Sequence, residues 1–155
     1  MKIIKYIPLV LAGLLSVSCM KDGEMLIASL GQESGTGIMT PDGDIVLSID
    51  YADALALTLY WDEAGTIVLN NPDAQVSSDA VINAVQFSAD ADFSTSIETA
   101  ISAGQYSLQL TGSQLNSILS RLGFEAGVLT PLYIRIRTAL GENTESVYGE
   151  TLSIK

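Results

Sequence analysis

From residue 44 onward, apolar and polar positions alternate in short runs separated by turn residues. A two-residue period of this kind marks strands that bury one face. Residues 45–49 open the series with Ile45, Leu47 and Ile49 on one side. In residues 55–61, Leu57, Leu59 and Trp61 fall inward, and Asp62, Glu63, Ala64 and Gly65 close the run. Residues 81–89 alternate through Val81, Val85 and Phe87 and then turn at Asp90, Ala91 and Asp92. Ile97, Thr99 and Ile101 predict another strand, and Tyr106, Leu108 and Leu110 one more. The period then lengthens once: Leu115, Ile118, Leu119 and Leu122 form a single helical stripe, a core face in its plainest reading. Thr111 and Gln114 suit a capping box before that stripe, and Gly123 ends it. Beyond the helix, Leu132, Ile134 and Ile136 alternate with Tyr133, Arg135 and Arg137, and Leu152 and Ile154 close the chain inward. Seven strands and one helix without βαβ alternation predict an all-β sandwich, the short helix lying before the penultimate strand.

The first residues follow a different pattern. Lys2 and Lys5 flank a positive start, residues 6–15 are apolar, and Ser16, Val17 and Ser18 precede Cys19. The apolar run falls short of the ~20 residues a membrane-spanning helix needs. It suits a secretory signal that ends in a lipobox, although Leu15 stands one residue further from the cysteine than is usual. The expected product is cleavage before Cys19, with a diacylglycerol thioether on the sulfur and palmitate-type acylation of the new amino group. Several acyl chains on one residue anchor a protein stably where a single chain would not. Residues 1–18 are therefore read as signal peptide and residues 19–43, rich in glycine, as lipidated terminus and tether. Residues 44–155 form the domain.

Composition narrows the chemistry. The chain of 155 residues carries a formal charge of -11, and loss of Lys2 and Lys5 with residues 1–18 makes it -13 over the remaining 137. So acidic a surface repels nucleic acid, and that function class is set aside. Cys19 is the only cysteine, so no disulfide can staple the fold. Histidine is absent, which removes the commonest general base and the commonest metal ligand. No cofactor, metal or catalytic residue is expected. An enzyme would need two carboxyl groups sharing an apolar cleft, and the acids stand in turn-like company instead. Asp42 with Asp44, and Asp90 with Asp92, have the spacing of calcium ligands but lack the rest of a calcium loop, so turns account for them better.

Aromatic side chains are the usual platforms for sugars. Trp61 alternates with Leu57 and Leu59 and belongs to the core. Tyr60 and Tyr133 point away from their apolar neighbours and are expected to share an exposed face with Arg135 and Arg137. Ordinary cross-strand pairing is the simpler account of such residues, a sugar contact the more specific one.

Several of these segments resemble a known family. The run Leu57-Thr58-Leu59-Tyr60-Trp61 is similar to the second strand of a fibronectin type III-like domain. Tyr133 to Ala139 and Tyr148 to Ile154 are similar to its last hairpin. With residues 83–88, Asp92-Phe93 and Ser113-Gln114-Leu115-Asn116, the set resembles the N-terminal domain of SusE/SusF-type outer-membrane lipoproteins of starch utilisation. Lys21, Asp22 and Glu24 resemble the tag that sends such lipoproteins to the outer face of the outer membrane, with Gly23 interrupting the acidic run. The resemblance implies a non-catalytic, lipid-anchored accessory or spacer module of a glycan-uptake system, facing outward. It implies partners among other Sus-like surface proteins and a TonB-dependent transporter. Carbohydrate-binding domains follow the first domain in that family, and this chain ends at Lys155, so no glycan-binding residue carries over. The rival reading is a structural or adhesive module that holds other surface proteins through sheet edges.

Overall fold

The computed structural model describes residues 28–30, 37–41, 43–62, 67–75, 77–141 and 145–155. Its strands are β1 (Ala28–Leu30), β2 (Ile38–Met39), β3 (Leu55–Trp61), β4 (Ile67–Leu69) and β5 (Val81–Ser88). They continue as β6 (Ser96–Ile101), β7 (Ser107–Thr111), β8 (Leu132–Leu140), β9 (Val147–Tyr148) and β10 (Leu152–Ile154). The helix α1 spans Gly112–Arg121.

Two antiparallel sheets make the sandwich, one ordered β2-β3-β7 and the other β10-β8-β5-β6. β9 and β10 lie end to end on the same edge of β8, and Gly149 N–H donates to the Ile136 carbonyl between them. Counted as one interrupted strand, they complete the seven sandwich strands expected of the fold class. The β1–β4 ribbon is additional.

The first of the seven is not where the alternation placed it. Residues 45–48 are irregular, and Ile49–Tyr51 is a single 3₁₀ turn whose Ile49 side chain is 90% exposed. Both edges of β3 are already taken, by β2 and β7, so the 45–49 segment has no place on that strand. Ser48 also starts a local turn, its Oγ accepting from Asp50 N–H and its carbonyl from Tyr51 N–H. Ile45 and Leu47 still pack against the core, and Ile45 N–H donates to the Lys155 carbonyl. The edge position belongs to β2, whose Ile38 is buried, within the span expected as tether.

Elsewhere the alternation places the core correctly, except that Tyr106 precedes β7 and is exposed. Leu57, Leu59 and Trp61 from β3 face Val85 and Phe87 from β5 and Leu132, Ile134 and Ile136 from β8. The Trp61 Nε1–H donates to the Gln105 carbonyl at 2.9 Å, so the indole's one polar group is paired. α1 closes one end of the core with Leu115 and Ile118, helped by the partly buried Leu119 and Leu122. Its start is tightly held. Thr111 and Gln114 form the reciprocal capping box, while Gly112 and Ser113 N–H donate to the Ala54 and Ala52 carbonyls at 2.9 and 2.7 Å. A Cβ at Gly112 would lie 3.0 Å from the Tyr51 carbonyl oxygen, so any larger residue would press on that backbone.

Candidate functional site

Because Val85, Phe87, Ile134 and Ile136 point inward, their neighbours on β5 and β8 line the sheet's outer face. The ladder register sets them in rows: Ser88 opposite Tyr133, Gln86 opposite Arg135 and Ala84 opposite Arg137. On the other side of β5, Gln86 stands opposite Glu98 and Ala84 opposite Ala100. One polar chain crosses these rows. Arg135 Nε–H donates to Gln86 Oε1 at 2.8 Å, and Gln86 Nε2–H donates to Glu98 Oε1 at 2.8 Å. Arg137 grips the same carboxylate side-on, Nε to Oε1 at 2.9 Å and Nη2 to Oε2 at 3.0 Å, and its Nη1 donates to Ser146 Oγ. The two alanines in Arg137's own row leave room for its side chain to run diagonally to Glu98. Gln86 is buried although it points away from the core, because these side chains roof it.

The guanidinium of Arg135 is stacked between two rings. Phe93 and Tyr148 lie on its two sides, each ring centroid 3.8 Å from Cζ. Tyr148 arrives on β9, whose register sets it opposite Arg137. Phe93 arrives on the β5–β6 turn, and the turn chemistry explains how. Ser88 Oγ donates to the Thr95 carbonyl and accepts from Asp90 N–H, Asp92 Oδ1 accepts from Ser94 N–H, and Phe93 N–H donates to the Asp90 carbonyl. These bonds hold Phe93 at φ +57°, a left-handed backbone that a bulky residue adopts only under constraint. The Phe93 side chain is nonetheless buried.

Electrostatics follow from this packing. Partial burial works against the charged form of Glu98, but hydrogen bonds from Arg137 and Gln86 and the Arg137 charge outweigh it. Its carboxyl is held below the ordinary carboxylate range. Desolvation holds Arg135 below the usual guanidinium value, the nearby Tyr148 phenol offsets only part of this, and the guanidinium stays charged.

The expected site residues thus separate. Tyr133, Arg135 and Arg137 do share an outer face. Tyr60 does not join them: it lies on β3 in the other sheet, on the opposite outer face, next to Met39 and Ser107. Inward Leu59 and Trp61 meet inward Ile134 and Ile136 across one core, so the outward residues of the two sheets must face opposite ways. Cys19, Lys21, Asp22 and Glu24 lie outside the described residues. Phe93, Gln86 and Glu98 are members that the alternation did not suggest. A glutamine set between Val85 and Phe87 is the one linear hint.

Other features offer less. Asp90 and Asp92 are exposed and both bond to Ser94, which makes them turn residues. Among the described residues, no group of three or more His, Cys, Asp or Glu could hold a metal ion, and no helix is long and apolar enough to cross a membrane. A groove of about 420 Å³ lies between α1, residues 45–47 and residues 124–130, floored by Leu115, Leu119 and Phe124. It is largely apolar and gathers no set of reactive side chains.

A family model described as SusE outer membrane protein matches residues 21–137. No curated protein and no solved structure matches the chain.

Proposed function

The chain belongs to the SusE outer membrane protein family, and from that membership we propose a non-catalytic, surface-displayed accessory or spacer module of a starch- or glycan-utilisation system. Lipid on Cys19 holds the chain to the outer membrane, Lys21, Asp22 and Glu24 direct it to the outer face, and the sandwich stands out from the bilayer. Its partners are other Sus-like surface proteins and a TonB-dependent transporter. The observation that carries this reading is the family match across residues 21–137. The arrangement around Glu98 fits a structural part for that side chain. Its carboxylate is bound side-on by Arg137 and bonded to Gln86, which favours the ionised form and a fixed position over proton transfer.

Two measurements test the reading. Deleting the gene should slow growth on a starch or related glycan and leave growth on the free monosaccharide unchanged. Cys19→Ala should abolish labelling of intact cells by an antibody against the sandwich. Unchanged growth on every glycan supplied would remove the uptake role, and undiminished labelling would remove the anchor.

A second reading has one observation in its favour. β6 ends one sheet and β7 ends the other, each paired on one side only among the described strands. Such edges can accept a strand from another protein, as an adhesive module requires. Crosslinking that captures surface proteins through β6 or β7, in a strain with no glycan phenotype, would favour it.

A further inference from the structure

We infer that Arg135 is the receptor for a carboxylate on an acidic saccharide, a uronic acid residue being the simplest case. This goes beyond the accessory role proposed above and does not depend on it, since the inference rests on the state of one guanidinium.

A guanidinium offers two faces and a rim of five N–H donors. At Arg135 both faces are occupied by Phe93 and Tyr148, each at 3.8 Å. One rim donor, Nε–H, is spent on Gln86 Oε1. The terminal nitrogens Nη1 and Nη2 have no hydrogen bond and no carboxylate partner among the described residues. The only described ion pair is Arg137 with Glu98. Nor are those nitrogens sealed in, because no buried side-chain nitrogen or oxygen among the described residues lacks a partner. The fork's terminal nitrogens therefore keep some access to solvent, with their orientation held by two rings and a glutamine.

That arrangement suits a planar two-oxygen acceptor. A fork binds a carboxylate through two parallel N–H···O bonds, and a fork immobilised beforehand loses little entropy on binding. The state of the neighbouring Glu98 matters as well. Glu98 could have taken Arg135 but is held by Arg137, with Gln86 placed between as a neutral spacer. The flanking surface favours a sugar over an acidic peptide. Tyr148 is 44% exposed beside the fork, and Tyr133 lies two residues along the same face of β8. One face of Tyr148 is already taken by the guanidinium, so Tyr133 is the ring placed to hold the apolar face of a sugar while the fork takes its acid group. The net negative charge that sets nucleic acid aside opposes an acidic saccharide too, and Asp90 and Asp92 on the turn carrying Phe93 add to it, so the fork must act through its own short-range bonds. At physiological ionic strength the screening length is about 8 Å, so charges beyond the immediate neighbourhood count for little.

The test uses the full chain in detergent, with the Arg135 and Tyr148 resonances followed by NMR. The probes are an oligogalacturonide, a malto-oligosaccharide of equal length, and inorganic sulfate. The expected result is saturable shifts at both residues with the uronate alone. Arg135→Lys keeps the charge but loses the planar fork, and should weaken uronate binding by about tenfold or more. Circular dichroism melting shows whether this variant is folded. If it is not, Tyr148→Leu removes one of the two rings that orient the fork and should weaken uronate binding several-fold, and unweakened binding by that folded variant would equally overturn the inference. No response to the uronate, an equal response to the neutral sugar or to sulfate, or unweakened binding by folded Arg135→Lys would overturn the inference.

Discussion

The two outer faces of the sandwich arise from the same alternation and end as different surfaces. On the β2-β3-β7 sheet, Met39, at 56% exposed, sits beside Tyr60, at 46%. On the β10-β8-β5-β6 sheet, Arg135, Gln86, Glu98 and Arg137 are bonded in series, and Phe93 is folded over them. Strand period alone makes both sets outward. What separates them is the turn after β5, which returns a phenylalanine onto its own sheet, and the pairing of β9 with β8, which supplies Tyr148. The second face therefore behaves as a small outer core, with buried Gln86, Ala84 and Ser88 beneath it. A polar face gains rigidity this way only when its members satisfy one another.

Removing Phe93 should break the contrast most severely. Phe93→Ala loses a buried ring and one side of the Arg135 stack. Urea unfolding should show a loss of about 2–4 kcal/mol, somewhat below the range for a central core phenylalanine because the ring rests on a guanidinium. The left-handed backbone remains after that change. Phe93→Gly relieves it and should recover part of the loss if the turn, more than the ring, is the strained element. A loss under about 1 kcal/mol for Phe93→Ala would mean that the outer core adds little, and that the two faces differ in appearance only.

The Glu98–Arg137 pair should have a smaller, pH-dependent effect. Its side chains remain 21% and 38% exposed, so solvent screening limits the gain. A double-mutant cycle with Glu98→Gln and Arg137→Met should give a coupling of about 0.5–1 kcal/mol at neutral pH, the upper part of the range for exposed pairs because the grip is side-on. The sign with pH follows from the direction of the shift. Glu98 has a folded-state pKa below its unfolded one, so its contribution is complete above the ordinary carboxylate value. That contribution is lost as pH falls through the depressed folded value. Acid titration of stability should therefore be flatter in Glu98→Gln than in the parent chain. An unchanged acid limb would show that the ion pair contributes nothing measurable.

Much of this was legible in one dimension, and the reasons are local. Period-two runs give the inward sets of β3, β5 and β8 because one-sided burial leaves no other solution. Thr111, Gln114 and Gly123 mark the helix because their side-chain and backbone preferences act within a few residues. Legibility ends where partners are distant. Residues 45–49 carry a good strand pattern, yet no free edge on β3 remained for them, and β2 is too short for its two residues to announce a strand. Tyr60 and Tyr133 look alike as outward tyrosines, and only the assignment of β3 and β8 to different sheets sends them to opposite sides. The Arg135 stack joins residues 93, 135 and 148 through a left-handed turn and a two-residue strand, neither of which any local period encodes.

Tyr60 supplies the mildest perturbation and the cleanest control on the comparison. Its ring is 46% exposed and its cross-strand neighbours are Met39 and Ser107. Cross-strand pairs of this kind contribute about 0.2–1 kcal/mol relative to alanine, and the exposed half of the ring contributes almost nothing. Tyr60→Ala should therefore shift the urea midpoint by no more than about 0.5 kcal/mol equivalent, with the slope unchanged. Set beside Phe93→Ala, that gives a several-fold difference between two aromatic residues which both point away from the central core. If Tyr60→Ala instead costs as much as Phe93→Ala, the β2-β3-β7 face is covered too, and the asymmetry between the two sheets disappears. If it costs nothing while abolishing capture of a surface partner, that face is kept open for contact, and the two sides of the sandwich divide their work between docking and ligand recognition.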